Sequence, residues 1–470
     1  MENHPNQEKL CEQMAHKFLP NSDVTITKTM LNKLGLSDAE QLYSDVPKNV
    51  TLKRPLNIPN ALSEIELEKL LTQKLGRNKS YPEYLSFLGG GCWVHHIPSV
   101  VDEVLSRGEF YTAYTPYQPE ISQGMLQAMF EYQSQICELT GMEAANSSMY
   151  DWGTALGEAG RMAQRVTHRN RILVARNASP ERTAILKTYC VPAGMSVEIV
   201  DFDGVTGNLD LGFLASKMND QVAAVYFENP NFLGIIEEFA VDIVKKAHAC
   251  GALAIVGIDP ATLGVMKPPG EYGADIVVGD GQPIGVYPNL GGPLIGIFAT
   301  RMDPLLLRQM PGRLIGLTNE KADPSRQGYV MVLQTREQHI RREHATSNIC
   351  TNEALFAIAV SIFLATMGPK GMKQLGEHMI AKSHYAQQRM KEEGIEAPFF
   401  SGKYFGELSV RTKMDGAELA KNLGEQGILG GLPLGRFYPD FEMVSLFSFN
   451  ETHSKEDVDR LVSALKATTS

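Results

Sequence analysis

Six short apolar segments recur through the middle of the chain: Ile172–Ala175, Val197–Asp201, Ala223–Phe227, Ala252–Ile258, Asp275–Val278 and Leu294–Ala299. Helical stretches such as Pro180–Tyr189 and Phe239–Ala249 fall between some of them. Segments this short and this continuously apolar offer no polar face to water, so they read as strands buried on both sides. Strands alternating with helices predict an α/β fold on a large, mostly parallel sheet. A chain of 470 residues can hold one such domain and a smaller one.

The expected organisation is an N-terminal helical and extended arm (1–60), a large α/β domain (61–370) and a smaller C-terminal α+β domain (371–470). In the arm, Pro55 and Pro59 interrupt any regular pattern. Ser63 and Glu66 make a capping box, Leu62 can staple onto Leu67, and Gly76 is the natural stop of that helix. A second helix is expected over Glu120–Thr140, with Ile121, Met125, Met129, Ile136 and Leu139 near one face and Gly141 ending it. From about Pro398 the pattern becomes strand (Gly406–Arg411), helix, strand (Met443–Phe449) and a last helix opened by Ser454 and Asp457.

The net charge is −10 and no Lys/Arg-rich run stands out, so nucleic acid and anionic membrane are poor partners. The start, Met1-Glu-Asn-His, lacks the basic and apolar regions of a secretory signal. The longest apolar run, Ala354–Met367, is too short to span a bilayer and suits a buried helix. Six scattered cysteines without a CxxC pair fit a reducing, cytoplasmic setting. Cys92 precedes His95 and His96, but nothing nearby completes a tetrahedral site, and no metal is expected.

Three local features bear on chemistry. Asp151-Trp-Gly-Thr-Ala155 opens a helix, so Thr154 and the backbone N–H groups either receive an anion such as phosphate or form an ordinary N-cap. Asp259 follows a buried strand, where a carboxylate can hold a cofactor ring nitrogen protonated or merely start the turn before Pro260. Asn289-Leu-Gly-Gly-Pro293 is a glycine-rich turn, either functional or a tight connection. Glu337 and Arg341 form an ordinary i,i+4 pair, and Arg341 and Arg342 read as a solvated helix face.

The segment Tyr111-Thr-Ala-Tyr-Thr-Pro-Tyr-Gln-Pro-Glu-Ile-Ser-Gln-Gly124, with Glu138–Met142 and Ala145–Ser148, resembles the signature stretch of glycine decarboxylase P-proteins. His95–Asp102, Thr335–Arg342, Thr346–Asn352 and Ile428–Tyr438 resemble the first, or alpha, of the two subunits into which many prokaryotes split that enzyme. The likeness runs from about Phe18 to near the C-terminus, leaving residues 1–17 as an unmatched polar extension.

The resemblance implies a fold-type-I pyridoxal-phosphate architecture. It implies an activity in which that cofactor assists loss of carbon dioxide from glycine, and the remaining aminomethyl group passes to the lipoyl arm of H-protein. The lipoyl disulfide accepts the electrons, so the reaction counts as a dehydrogenation. The family's catalytic form needs a lysine shortly before the glycine-rich turn. Here that stretch is Val278-Gly-Asp-Gly-Gln-Pro-Ile-Gly-Val-Tyr287, with Gln282 and Pro283 near the lysine's place, and no lysine occurs between Lys267 and Lys321. The family's stacking histidine is matched by Ser179 before Pro180.

By resemblance, then, Thr154, Ser179 and Asp259 are a vestigial cofactor site, and the chain binds no cofactor covalently. Its expected partners are subunit 2 (beta), which carries lysine and pyridoxal phosphate, in an α2β2 assembly, together with lipoylated H-protein and glycine. Tyr114, Tyr117, Gln118 and Glu120 are candidates to line a pocket shared with that partner. The alternatives are a non-catalytic scaffold or regulatory subunit of the same complex, or an independent pyridoxal-phosphate enzyme.

Overall fold

The computed structural model describes residues 18–19, 22–54, 56–289, 292–333, 345–349 and 351–469. Residues 1–17, Pro55, the middle of the Asn289–Pro293 turn, Thr335–Arg342 and Cys350 therefore lie outside the described residues. The chain separates into two compact units, 1–78 and 79–470. The boundaries expected at 60/61 and 370/371 fall inside these units, and 371–470 stays a proposal for the smaller domain.

The first unit carries helices α1 (Val24–Lys33) and α2 (Glu64–Leu75). Asp23 caps α1 by accepting from the N–H groups of Thr25 and Ile26. At α2 the capping box forms as the sequence predicts: Glu66 N–H donates to Ser63 and Ser63 N–H donates to Glu66. Gly76 ends α2 in a right-handed conformation (φ −63°), without the left-handed turn that makes glycine a special stop.

The second unit begins with β1 (Leu85–Phe87), α3 (Ser99–Leu105) and α4 (Gln123–Thr140). α4 starts three residues later than expected. Pro119 opens a separate 3₁₀ turn over Pro119–Ile121, which leaves Ile121 80% exposed instead of on the buried face. Met125, Met129 and Ile136 are buried, and Gly141 ends the helix at φ 68°.

The large sheet follows: β2 (Ala144–Ala145), α5 (Trp152–Thr167), β3 (Arg171–Ala175), α6 (Pro180–Cys190), β4 (Ser196–Val200), α7 (Leu211–Lys217), β5 (Val222–Glu228), α8 (Ala240–Ala249), β6 (Leu253–Ile258), β7 (Ile276–Asp280) and β8 (Gly296–Thr300). Its order is β2-β8-β7-β6-β5-β3-β4. The strands from β7 through β4 pair in parallel, while β8 is antiparallel to both β7 and β2. All seven residues of β5 are buried, the largely apolar run Val222–Phe227 and the closing Glu228 alike.

A hairpin of β9 (Leu314–Asn319) and β10 (Gln327–Val332) precedes α9 (Ala354–Glu392). The apolar run Ala354–Met367 packs into the core with Ala357, Val360 and Phe363 buried. Gly368 breaks the helix (φ 59°, ψ −178°) just before Pro369. Proline disfavours helical geometry in its predecessor, and glycine alone adopts this one readily.

The chain closes with β11 (Glu407–Arg411), α10 (Gly416–Glu425), β12 (Ile428–Gly430), β13 (Leu432–Pro433), β14 (Val444–Ser448) and α11 (Lys455–Thr469). β11, β14 and β13 form an antiparallel sheet, and β12 pairs in parallel with distant β1. A second core gathers Phe87, Phe400, Phe447 and Phe449 around it. The β9–β10 hairpin was not anticipated from sequence pattern; nor were the short strands β1, β12 and β13, since strands of two or three residues carry no periodicity.

Candidate functional site

Three strands of the parallel sheet end at one edge on a carboxylate: Glu228 closes β5, Asp259 follows β6, and Asp280 closes β7. That edge is where open α/β sheets bind ligands. The first residues of two helices reach it as well. The N–H of Trp152, at the start of α5, donates to Asp280 at 3.3 Å, and that of Ser179, before α6, donates to Glu228 at 3.1 Å.

Arg182, in the first turn of α6, lies across this edge. Its Nε and one terminal nitrogen donate to the two oxygens of Glu228, both at 2.8 Å, and its guanidinium lies 3.7 Å from the ring centre of Trp152. Tyr226 donates its hydroxyl to the same Glu228 at 2.7 Å. Burial alone would favour loss of the Arg182 proton, but the Glu228 carboxylate more than offsets this and holds the side chain charged.

From the other side, the loop Leu88–Trp93 closes down. Gly90 N–H and Trp93 Nε1 donate to Glu407 of β11 at 2.7 and 3.0 Å. Gly90 and Gly91 both have positive φ, and a side chain on Gly91 would strike the Arg182 guanidinium, so only glycine lets the loop approach this closely.

Gln282, in the stretch that resembles the family's lysine-bearing segment, is 1% exposed and fully engaged. Its amide accepts from Trp93 N–H (3.2 Å) and donates to the carbonyls of Trp93 and Val286, both at 2.9 Å. Asp280 accepts from the N–H groups of Trp152 and Gln282, and burial pushes its carboxyl up to about 7. Burial against the loop likewise raises Glu407 to about 7.

Asp259 accepts from Ala261 N–H at 2.9 Å, and burial raises its carboxyl, partly countered by nearby His95. His95 is itself fixed by Glu451, whose carboxylate lies 2.9 Å from Nδ1; that carboxylate outweighs burial and raises the imidazole.

Around these groups an inner cavity of about 20 Å³ is lined by Trp93, Trp152, Arg182, Asp259 and Glu407, among others. An outer cleft of about 390 Å³ adjoins it, with Asp151, Ser179, Asp280 and Arg436 on its walls.

The structure brings Ser179 and Asp259 to one edge. The N-cap of α5 is Asp151, not Thr154. Thr154 N–H donates to Asp151 at 2.8 Å, and the Thr154 hydroxyl accepts from Asp151 N–H, so the threonine completes a capping box. Tyr114, Tyr117, Gln118 and Glu120 lie elsewhere, outside both the cavity and the cleft. Tyr114 is 73% exposed. The inner side of their loop is tied down by Arg313, which donates to Thr115 at 2.8 Å and lies over the Tyr117 ring.

Arg182, Glu228, Trp93 and Glu407 were missed from sequence. An arginine early in a helix gives no local sign that it is buried.

A profile of the glycine cleavage system P-protein matches residues 16–465. A protein named probable glycine dehydrogenase (decarboxylating) subunit 1, from Staphylothermus marinus, is 46% identical, the match covering 96% of this chain and 98% of its own length.

The chain belongs to the glycine cleavage system P-protein family.

A crystal structure of glycine decarboxylase (P-protein) in inhibitor-bound form superimposes with a TM-score of 0.84 at 39% identity, covering 96% of this chain and all of the other. A sphingosine-1-phosphate lyase from Burkholderia pseudomallei, at 12% identity, shares the fold alone (TM-score 0.64, 91% and 94% covered). The fold is that of the fold-type-I pyridoxal-phosphate enzymes.

The residues of this chain's cleft do not fit that cofactor. The inner cavity beside Asp259 has room for about one water, and the outer cleft of about 390 Å³ that adjoins it carries Asp151, Glu181 and Asp280 on its walls. No lysine lines the inner cavity, and the helix N–H groups that would receive a phosphate are engaged by Asp151 and Asp280.

Proposed function

We propose that this chain is subunit 1 of a two-chain glycine decarboxylase. A lysine-bearing subunit 2 would hold the pyridoxal phosphate, and the pair would decarboxylate glycine and pass the aminomethyl group to the lipoyl arm of H-protein. The observation that carries this reading is a family match over residues 16–465 combined with the absence of any lysine between Lys267 and Lys321, the stretch in which the catalytic form needs one and in which Gln282 is buried and hydrogen-bonded. A fold kept whole without its covalent anchor is explained by work done with another chain.

The Tyr111–Gly124 loop supplies the complementary part of the proposal. Tyr114, Gln118 and Glu120 are exposed while the loop beneath them is anchored through Thr115 and Gln123, whose side chain bonds both ways with the backbone of Tyr329. Rigid, outward-facing polar and aromatic groups suit a wall of the partner's pocket better than a feature of this chain's own cleft. We assign Tyr114, Tyr117, Gln118 and Glu120 to that wall, in an α2β2 assembly. A cytoplasmic location fits the four free cysteines among the described residues.

The test is glycine–bicarbonate carboxyl exchange with purified chains. Neither this chain alone nor a mixture with H-protein should exchange; adding subunit 2 should restore exchange. Exchange by this chain alone, with subunit 2 rigorously excluded, overturns the reading.

A further inference from the structure

We propose that the ancestral cofactor cleft of this chain is filled by its own side chains, so that a phosphorylated pyridine ring is excluded independently of the missing lysine. This concerns the chain by itself and stands apart from any activity it has with a partner.

Three parts of the site carry built-in occupants. Where the helix N-terminus of α5 would receive a phosphate, Asp280 accepts from Trp152 N–H and Asp151 accepts from Thr154 N–H. Asp280 and Asp151 satisfy these amides, so a phosphate would have to displace them to bind there.

Beside Asp259, the carboxylate matched to the ring-nitrogen partner, the flat space is taken by the Arg182 guanidinium. It is stacked at 3.7 Å on Trp152 and held edge-on by both oxygens of Glu228. Near the lysine's place, the Gln282 amide clamps the Trp93 backbone in both directions, and Glu407 binds the same loop through Gly90 and Trp93 Nε1.

These occupants are hydrogen-bonded inside the protein, so a ligand would have to break those bonds before it could enter. The outer cleft presents more carboxylates than cations to an incoming phosphate. Its walls carry Asp151, Glu181 and Asp280, and the cations there are Arg182, already paired with Glu228, and Arg436.

The chain's two tryptophans, Trp93 and Trp152, both line the inner cavity, so intrinsic fluorescence reports on it directly. The probe is 4′-deoxypyridoxine 5′-phosphate, which has the ring and phosphate but no aldehyde and therefore needs no lysine. Titrated into the unaltered full-length chain to about 1 mM, it should cause no saturable change in tryptophan emission. Saturable quenching in the micromolar range, relieved by inorganic phosphate, overturns the proposal.

Two further arms test the occupants. Arg182→Ala should at least double the acrylamide quenching of the tryptophans, and unchanged quenching in a folded variant would show that Arg182 does not close the slot. Gln282→Lys and Pro283→Lys, each incubated with pyridoxal phosphate and reduced with borohydride, should carry no more adduct at the new lysine than surface lysines do. A stoichiometric adduct there would show that the lysine was the sole loss.

Discussion

Truncating Arg182 to alanine removes one partner of an ion pair whose other member, Glu228, is 1% exposed. Two contacts of 2.8 Å disappear at once, and Glu228 keeps only the Tyr226 hydroxyl and the Ser179 N–H as donors. Breaking a buried pair from one side costs about 3–5 kcal/mol, because the surviving charge stays buried without its counter-ion. The lost stacking on Trp152 adds up to about 2 kcal/mol, not fully independent of the first term. For 470 residues the unfolding entropy is roughly 1 kcal/mol/K, so about 4 kcal/mol lowers Tm by about 4 °C. Urea unfolding followed by circular dichroism, with differential scanning calorimetry beside it, measures both quantities. The double variant Arg182→Met/Glu228→Leu should recover most of the loss, since replacing both charges with apolar groups removes the penalty. A cost under about 1 kcal/mol for Arg182→Ala would mean that water reaches Glu228 freely, and the account of a closed cleft would fall with it.

The remaining predictions concern the partner-facing loop, pH and the cap of α5. Tyr114→Phe and Gln118→Ala, each assembled with unaltered subunit 2, should lower glycine–bicarbonate exchange tenfold or more, about 1.4 kcal/mol in the barrier, while Tm holds because both side chains are exposed; full activity in both would make the loop structural only. Glu407, raised to about 7 from 4.5, binds a proton more tightly folded than unfolded, so its contribution to stability is complete below about pH 4.5 and is lost as pH rises through about 7. Glu407→Gln keeps an oxygen to accept from Gly90 and Trp93; it should be more stable than the parent by about 1–2 kcal/mol at pH 8 and converge with it near pH 5, and equal pH profiles in urea melts would refute the assignment. Asp151→Ala removes the cap of α5 and should cost about 1 kcal/mol, whereas Thr154→Val costs less because the Asp151 carboxylate still receives the backbone bond; the reverse order in thermal melts would restore Thr154 as the more important residue.

Sequence alone determined whatever depends on local pattern or on the identity of a residue at a matched position. The six segments became β3 through β8 within a few residues at each end; five are covered strands, as short apolar runs require, while the edge strand β4, interrupted by Glu198, buries only Val200. Ser63 with Glu66 and the stop at Gly141 were equally legible, since caps are made by neighbours in the chain. The missing lysine between Lys267 and Lys321 needed no structure at all.

What tertiary structure decided was which distant groups meet. Glu228 lies 46 residues from Arg182, Gln282 lies 189 from Trp93, and Glu407 lies 314 from Trp93, so none of these pairs leaves a trace in local spacing. Ile121 shows the same limit in a single residue: its place in the apolar period was right, but Pro119 detached its turn from the helix and the side chain went to solvent. Thr154 shows it for function. A Gly-Thr at a helix start is compatible with an anion or with a cap, and the choice fell to Asp151 and to Asp280, which arrives from β7, 128 residues beyond Trp152. Burial, charge pairing and closure of the cleft are properties of the assembled surroundings, fixed only when the strands, α6 and the Leu88–Trp93 loop converge on one edge of the sheet.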